Sequence, residues 1–313
     1  MPRYYFGTAG WSYEDWEGIV YPARIGARLH PLTYLARYID IVEVNSTFYR
    51  PPAVQMSLSW VKKLAEFPDF LLSVKLHQIF THERESYTQK NADEFKIGIE
   101  PLVAARRLAA LLIQFPWSYR NTEEHKDYLA GLFKLFAGYP LALEVRHASW
   151  DEPRFFGLLR EHKVAFCNID QPVIGESLAP SAIATNPDFA YVRFHGRNYK
   201  DWFRKDAGRD DRYNYLYTKD ELGDWIKMIK DLGKDSDRIY VITNNHYRGQ
   251  ALANALQIKN MVSGEKLEIP GGLLRQYPVL EEIVKKIREG QMDLFKKESP
   301  PEEGGKKKGK RGS

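Results

Sequence analysis

The first strand and turn, Tyr4-Tyr5-Phe6-Gly7-Thr8-Ala9-Gly10-Trp11, decide between two α/β architectures. An open, doubly wound sheet usually carries a phosphate-binding loop of small residues directly after its first strand. In this chain the bulky Trp11 stands where such a loop would need a small residue. The turn therefore favours a closed barrel over an open sheet.

Apolar, strand-like runs recur along residues 1–277, and amphipathic helical stretches lie between most of them. The eight predicted strands are Tyr4–Gly10, Ile41–Phe48, Leu71–Gln78, Ala109–Pro116, Leu141–His147, Val164–Asp170, Phe189–Gly196 and Ile239–Asn245. The predicted helices include Pro31–Ile39, Val54–Phe67, Asn121–Ala137, Thr218–Leu232 and Arg248–Val262. Short runs that are apolar throughout are typical of parallel strands buried on both faces. Repeated strand–helix units predict a single (β/α)8 TIM-type barrel over residues 1–277.

The residues that follow the barrel differ from it in composition. We predict an extra C-terminal helix over residues 278–290, a short peptide at 291–295, and a basic tail at 296–313. The tail contributes +4 of the net charge of +5, so the body is nearly neutral. Because Pro, Gly, Glu and Lys bury little apolar surface, we expect a disordered tail. Its lysines could attract DNA or RNA by neutralising phosphates, or could keep the protein soluble.

Composition also limits the class of protein. No apolar run is long enough to cross a membrane, and residues 1–6 lack the apolar core of a signal peptide. We therefore expect a cytoplasmic protein with no membrane partner. The single cysteine, Cys167, excludes an internal disulfide and a thiolate metal cluster. It lies in an apolar run, which favours a buried packing role.

Polar residues gather where the predicted strands end, and barrels of this kind place their active sites at that end. The candidate catalytic residues are Glu43, Lys75, His77, Glu144, Arg146, Asp170, Arg193, His195 and His246. Several of them form pairs two positions apart, so both members should face the same side of a strand. These pairs are Glu43 with Asn45, Lys75 with His77, Glu144 with Arg146, and Arg193 with His195. Alternatively, the charged members only neutralise one another as an internal ion-pair network.

Three chemistries could use this set of side chains. The carboxylates and imidazoles could hold a divalent metal, but no close metal-binding spacing is present and the basic residues would repel a cation. A metal is therefore not favoured, and the cofactor stays unknown. Alternatively, basic residues could clamp a phosphate or carboxylate, with His195 or His77 shuttling a proton and Glu43 or Glu144 as base or electrostatic stabiliser. That clamp would consist of Lys75, Arg146, Arg193 and Arg197. A glycosidase pair of glutamates is the third chemistry, and the excess of Arg and Lys argues against it.

Aromatic and amide side chains near the same strand ends could bind a substrate. The candidates are Trp11, Tyr13, Asn45, Tyr49, Gln114, His147, Arg197, Asn244 and Asn245. Aromatic rings at these positions could offer flat platforms for a base or a sugar. The segment 198–217 interleaves basic with aromatic residues. That composition suits single-stranded or distorted nucleic acid, although the segment could also be a plain lid loop.

Six motifs occur in a fixed order along the chain. They are Gly7-Thr8-Ala9-Gly10-Trp11-Ser12-Tyr13, Glu43-Val44-Asn45-Ser46-Thr47-Phe48-Tyr49, Gln114-Phe115-Pro116, Glu144-Val145-Arg146-His147-Ala148-Ser149-Trp150, His195-Gly196-Arg197 and Asn244-Asn245-His246-Tyr247-Arg248-Gly249-Gln250-Ala251. In this order they resemble the YecE-like family of TIM barrels, a domain of unknown function, from Arg3 to Ser263. The resemblance implies the same barrel but no catalytic role. That barrel is similar to the xylose isomerase and endonuclease IV group, which suggests sugar chemistry or DNA repair.

A peptide near the end of the chain, Gln291-Met292-Asp293-Leu294-Phe295, resembles the motif with which bacterial DNA-handling proteins dock on the replication sliding clamp. Leu294 and Phe295 would be its apolar anchors, and Gln291 would form hydrogen bonds at the mouth of a pocket. The alternative is that Leu294 and Phe295 attach the last helix to the body.

These features lead to one main hypothesis and two rivals. The main hypothesis is an enzyme that processes nucleic acid, a hydrolase or lyase recruited to DNA through the clamp-like peptide. The first rival is a metabolic isomerase or hydrolase that acts on a phosphorylated sugar or another small anionic molecule. The second rival is a non-catalytic scaffold that binds nucleic acid.

Overall fold

The computed structural model describes residues 1–23, 29–202, 204, 206 and 208–285 of the chain. Its centre is a closed barrel of parallel strands in the order β1 to β8. The strands are β1 (Arg3–Ala9), β2 (Ile41–Val44), β3 (Leu71–Lys75), β4 (Leu108–Gln114), β5 (Leu141–Glu144), β6 (Ala165–Asp170), β7 (Ala190–Phe194) and β8 (Arg238–Thr243). The pairing of β1 with β8 closes the ring, with Gly7 opposite Ile242. The predicted (β/α)8 barrel is confirmed.

The strand sequences explain why the barrel closes. All residues of β2, β5, β6 and β7 are buried, as expected for strands with the barrel interior on one side and helices on the other. Gly7 permits the close approach of β1 to β2. A Cβ at Gly7 would lie 1.7 Å from the carbonyl oxygen of Ile41, so any larger residue would push the two strands apart.

Helices connect the strands and cover the outside of the barrel. They are α1 (Pro31–Leu35), α2 (Ser46–Tyr49), α3 (Val54–Lys63), α4 (Gln89–Ala104), α5 (Glu123–Leu135), α6 (Pro153–Glu161), α7 (Arg209–Arg212), α8 (Lys219–Leu232), α9 (Gln250–Ser263) and α10 (Gly271–Gln276). The predicted capping box at the start of α8 is present. Thr218 Oγ1 accepts from the Glu221 amide at 3.3 Å, and the Glu221 carboxylate accepts from the Thr218 amide at 2.8 Å.

Several strands end earlier than the sequence pattern predicts. β2 ends at Val44, and the helical turn α2 begins directly after Asn45. β3 ends at Lys75, and a 3-10 helix follows over Gln78–Phe80. The apolar character of these segments continues beyond each strand because the turns also pack against the barrel. The strand alternation that pairs residues two apart therefore stops at these points.

The C-terminal region of the described chain contains short helices. After α10, a 3-10 helix spans Pro278–Glu282, and Val284 then forms a parallel β-bridge with Leu267. Within the predicted helix 278–290, the described part is thus a 3-10 turn followed by a bridge, because Ile283 and Lys285 hydrogen-bond to the Leu267 backbone. Residues 286–313, including the clamp-like peptide 291–295 and the tail 296–313, lie outside the described residues. Among the described helices, none is long and apolar enough to cross a bilayer.

Candidate active site

A buried ion-pair network lies at the carboxyl-terminal end of the barrel. Arg193 of β7 points into the interior and lies between Glu43 of β2 and Glu144 of β5. Its Nη2 donates to Glu43 Oε1 at 2.6 Å, and its Nη1 donates to Glu144 Oε2. Both glutamates are 0% exposed, and Arg193 is 1% exposed. Tyr191 donates to the second oxygen of Glu43 at 3.0 Å. Both carboxylates are therefore held in place by donors inside the barrel.

Arg146 completes the network from the segment after β5. Its Nε and Nη2 lie 2.9 and 2.8 Å from Glu144 Oε1, so both nitrogens bind the carboxylate oxygen that Arg193 leaves available. Burial alone would raise the pKa of Glu144. The charges of Arg193 and Arg146, with the hydrogen bond from His195, outweigh burial and hold the pKa of Glu144 well below its usual range. Glu144 is thus a fixed anion that orients two arginines.

His195 lies in the same network as a neutral imidazole. Its Nε2 is 3.2 Å from Glu144 Oε1, and its Nδ1 is 3.2 Å from the amide nitrogen of Asn244. This arrangement assigns the proton to Nε2, which donates to Glu144, while Nδ1 accepts from Asn244. Burial lowers the pKa of His195 to about 3, despite the opposing charge of Glu144. With both nitrogens engaged, His195 is suited to hold the network in place.

A pocket of about 350 Å³ opens above this network at the mouth of the barrel, and we call it the mouth pocket. It is lined by Tyr13, Asn45, Tyr49, Lys75, Gln114, Arg146, Arg193, Arg212, Tyr213, Asn244 and His246. The ring of Tyr13 stacks on that of His246, with centroids 4.5 Å apart. Two larger cavities, of about 750 and 540 Å³, lie where the strands begin. Active sites of such barrels lie at the opposite end, so the mouth pocket is the candidate site.

Lys75 lines the pocket beside the network without belonging to it. Its Nζ lies 4.0 Å from the centroid of the Phe48 ring. In the described part of the chain, no carboxylate forms an ion pair with Lys75. Burial and the neighbouring charge of Arg193 lower the pKa of Lys75 to about 7, although Glu43 and Glu144 oppose the shift. The Lys75 amine therefore loses its proton more readily than the amine of an exposed lysine.

The chain is similar to proteins of one family over most of its length. A match to the family described as "Protein of unknown function DUF72" spans residues 5–276. The chain belongs to the DUF72 family. The UPF0759 protein YunF of Bacillus subtilis (strain 168) is 31% identical over 278 residues, which cover 83% of this chain and 95% of that protein.

Two solved DUF72 structures have the same barrel. The Thermotoga maritima MSB8 protein TM1631 is 36% identical to this chain, with a TM-score of 0.72, and the match covers 83% of this chain and 99% of that one. The Enterococcus faecalis V583 protein EF0366 is 26% identical, with a TM-score of 0.73, and the match covers 84% of this chain and 95% of that one. The family description names no reaction.

Most of the residues that the sequence singles out do come together. The network or the pocket wall contains Tyr13, Glu43, Asn45, Tyr49, Lys75, Gln114, Glu144, Arg146, Arg193, His195, Asn244 and His246. The expected ion-pair network and the expected basic pocket are both present, one above the other. The alternatives are therefore compatible, because the network holds the arginines that the pocket exposes.

Asp170 and Arg197 were predicted to lie at the site, but neither lines the mouth pocket. Asp170 points outward from β6 toward α8, where it accepts hydrogen bonds from Tyr217 Oη at 2.6 Å and from Trp225 Nε1. Arg197 donates to both of its carboxylate oxygens, at 2.9 and 2.6 Å. These donors saturate the Asp170 carboxylate. The cluster attaches the segment after β7 to the outer helices, so its place in the fold is structural.

His77 and His147 also lie away from the mouth pocket, because each begins a 3-10 helix. His77 Nδ1 accepts from the Ile79 amide at 3.2 Å. His147 Nδ1 accepts from the Ser149 amide at 3.1 Å, and its Nε2 lies 3.2 Å from Glu176. A capping histidine turns back toward its own backbone, so His77 does not share a face with Lys75, contrary to the prediction from the sequence pairing.

Trp11 and Asn245 are the remaining residues placed outside the pocket wall. The Trp11 ring packs edge-on against Trp60, with centroids 5.9 Å apart. The Asn245 amide donates to the Tyr215 carbonyl at 2.7 Å and to Asn254 at 2.8 Å. Both side chains connect outer elements to the barrel, and neither lines the mouth pocket.

Four residues of the site were not among the predicted site residues. Arg212 and Tyr213 line the pocket, and the basic and aromatic composition of segment 198–217 was the available signal for them. Phe48 lies beneath Lys75, and Tyr191 bonds Glu43 from within an apolar strand. Nothing in the local pattern distinguishes these two rings from ordinary core residues.

Glu43 and Glu144 are the carboxylates of the site that a metal ion would need as ligands. Over residues 1–23, 29–202, 204, 206 and 208–285, no group of three or more His, Cys, Asp or Glu side chains is arranged as metal ligands. Glu43 and Glu144 already accept hydrogen bonds from Arg193, and that cation stands where a metal would have to bind. The residues present therefore fit an anionic ligand better than a metal ion.

Proposed function

We propose that this DUF72 protein is an enzyme that binds a small anionic substrate in the mouth pocket and transfers protons through the Lys75 amine. One observation carries the proposal. The described residues of the pocket wall include Lys75, Arg146, Arg193 and Arg212, and no Asp or Glu. A volume of about 350 Å³ suits a sugar phosphate or a molecule of similar size.

The charge balance at the mouth supports an anionic ligand. Glu43 and Glu144 offset Arg193 and Arg146, so these four side chains are neutral together. Protonated Lys75 then adds a positive charge without a carboxylate partner among the described residues. A phosphate or carboxylate would supply the missing negative charge, and guanidinium groups bind such oxygens in a forked geometry. Ligand binding should therefore favour the protonated form of Lys75.

The same geometry supports Lys75 as the proton-transferring group. His195 has both nitrogens engaged, and Glu43 and Glu144 accept hydrogen bonds from arginines. A general base works best when its pKa is near the working pH. The pKa of Lys75, about 7, meets that condition. Isomerase or hydrolase chemistry on a phosphorylated small molecule would use this amine.

Titration calorimetry with ribose 5-phosphate and ribose tests the proposal. We expect binding of the phosphorylated sugar only, with affinity falling as the pH rises through 7 and Lys75 loses its proton. Arg212→Ala should weaken binding about tenfold, which is about 1.4 kcal/mol, whereas Arg160→Ala, at an exposed position of α6, should leave it unchanged. Equal affinity for ribose, or no effect of Arg212→Ala on phosphate affinity, would contradict the anion pocket.

A nucleic-acid substrate is the second candidate, and one observation favours it. Arg212 and Tyr213, which line the pocket, come from the basic and aromatic segment 198–217. The pocket would hold one nucleotide turned out of its strand, because a duplex is far wider. In this proposal, Gln291, Leu294 and Phe295 would bring the enzyme to DNA through the sliding clamp.

A clamp pull-down tests recruitment separately from chemistry. In the nucleic-acid proposal, Leu294→Ala with Phe295→Ala abolishes retention of the full chain on the clamp, and cleavage of a single-stranded oligonucleotide requires Lys75. In the small-molecule proposal, removal of residues 291–313 leaves activity unchanged. Equal retention of the wild type and the double variant would remove the clamp from the account.

A further inference from the structure

The surroundings of the Lys75 amine differ from those of an ordinary partly buried lysine. Lys259 provides a comparison within the same chain, because its Nζ lies 2.7 Å from Asp40 in an ion pair. Lys75 Nζ instead lies over the Phe48 ring, and Lys75 lines the mouth pocket together with Arg146 and Arg193. The positive charges of the two guanidinium groups disfavour an ammonium ion at this position. An uncharged amine with an available lone pair therefore opens into the pocket.

We infer that Lys75 forms an imine with the carbonyl carbon of a small phosphorylated aldehyde or ketone. The inference rests on the proposed function and deepens it by naming the substrate class. A second argument for an imine is that the neighbouring acidic and imidazole side chains already have hydrogen-bond partners. Glu43, Glu144 and His195 are all engaged in the network. An imine lets a single amine activate the substrate, because the C=N bond accepts electrons when a bond at the adjacent carbon breaks.

The step is balanced without any further reactant. The Lys75 nitrogen attacks the carbonyl carbon, and a C–N bond forms as the C=O π bond opens. Both protons of the neutral amine leave with the carbonyl oxygen as water, which gives a neutral imine. A proton taken up from solvent then converts the neutral imine to a cation close to the arginines. The substrate phosphate, held on the Arg212 side of the pocket, supplies compensating negative charge.

Reductive trapping tests the inference directly. The full chain is incubated with glycolaldehyde phosphate and cyanoborohydride at pH 7, and modified lysines are located by peptide mass spectrometry. An amine with a pKa of about 7 has on the order of a thousand times more free base at pH 7 than one at 10.5. We therefore expect at least tenfold faster labelling of Lys75 than of Lys259. Lys75→Arg should remove the fast phase, and the control Lys259→Arg should keep it.

Titration calorimetry with phosphate, and trapping with unphosphorylated glycolaldehyde, distinguish failure of the imine from failure of the anion pocket. If titration calorimetry shows phosphate binding but trapping leaves Lys75 unmodified, the imine is overturned and the anion pocket stands. If Lys75 is labelled equally fast by unphosphorylated glycolaldehyde and inorganic phosphate does not protect it, the imine chemistry is supported and the anion pocket is overturned. Labelling no faster at Lys75 than at Lys259, without phosphate binding, would overturn both.

Discussion

Replacing Arg193 by Met tests whether the buried network holds the mouth of the barrel together. Arg193 is 1% exposed and donates to two fully buried carboxylates. Without it, Glu144 keeps Arg146 and His195, whereas Glu43 keeps the Tyr191 hydroxyl. Removing one partner of a buried ion pair costs about 3–5 kcal/mol. We therefore expect a loss of that size, mainly from the stranded charge of Glu43.

Urea unfolding followed by tryptophan fluorescence measures this loss, and Glu43→Gln combined with Arg193→Met is the matched control. The double variant removes the stranded charge and should recover about half of the lost free energy of unfolding. In Arg193→Met alone, the buried carboxylate gains stability when protonated, so the folded state binds more protons. The free energy of unfolding of that variant should therefore fall from pH 5 to pH 8. A single variant within about 1 kcal/mol of wild type, with no difference from the double variant, would refute the network argument.

Three further predictions concern Lys75, Asp170 and Cys167. Lys75→Met should stabilise the protein by up to about 4 kcal/mol at pH 6 and by less at pH 10. The pKa of Lys75 in the folded wild type, about 7, lies below the pKa of an unfolded lysine, so the stability of the wild type rises with pH between these two pKa values. Urea unfolding of both proteins at pH 6 and pH 10 checks this prediction. Asp170→Asn should cost about 2–4 kcal/mol of stability but leave the affinity for ribose 5-phosphate within twofold of wild type, as calorimetry would show. Burial raises the pKa of the Cys167 thiol, so iodoacetamide should modify it only when the chain is unfolded, whereas rapid modification of the native protein would contradict its burial.

The barrel could be predicted because its strands are short, apolar and buried on both faces. The ends of those strands could not be predicted equally well. Asn45 and His77 are followed by apolar turns that pack on the barrel, and these look like continued strand in the sequence. The sequence pattern shows that a segment is buried, but it does not show whether that segment is extended or helical.

For single residues of the site, the sequence likewise shows that a side chain is buried but not which face of the strand it occupies. Glu43, Glu144 and Arg193 lie within strands and face inward as the alternation predicts. In β6, the inward side is occupied by Cys167, whose sulfur lies 3.9 Å from Glu144, so Asp170 faces outward. A strand buried on both faces gives no signal for which face lines the barrel. The choice between them depends on partners contributed by distant parts of the chain.

The most direct test of the central claim is the titration of the Lys75 amine itself. Lysine labelled with ¹³C at Cε reports protonation in a proton–carbon correlation spectrum, and Lys75→Arg assigns the signal. We predict a midpoint at a pH of about 7 that moves upward when inorganic phosphate is added. A midpoint close to that of an ordinary lysine, unaffected by phosphate, would contradict the account of an anion pocket built around an uncharged amine.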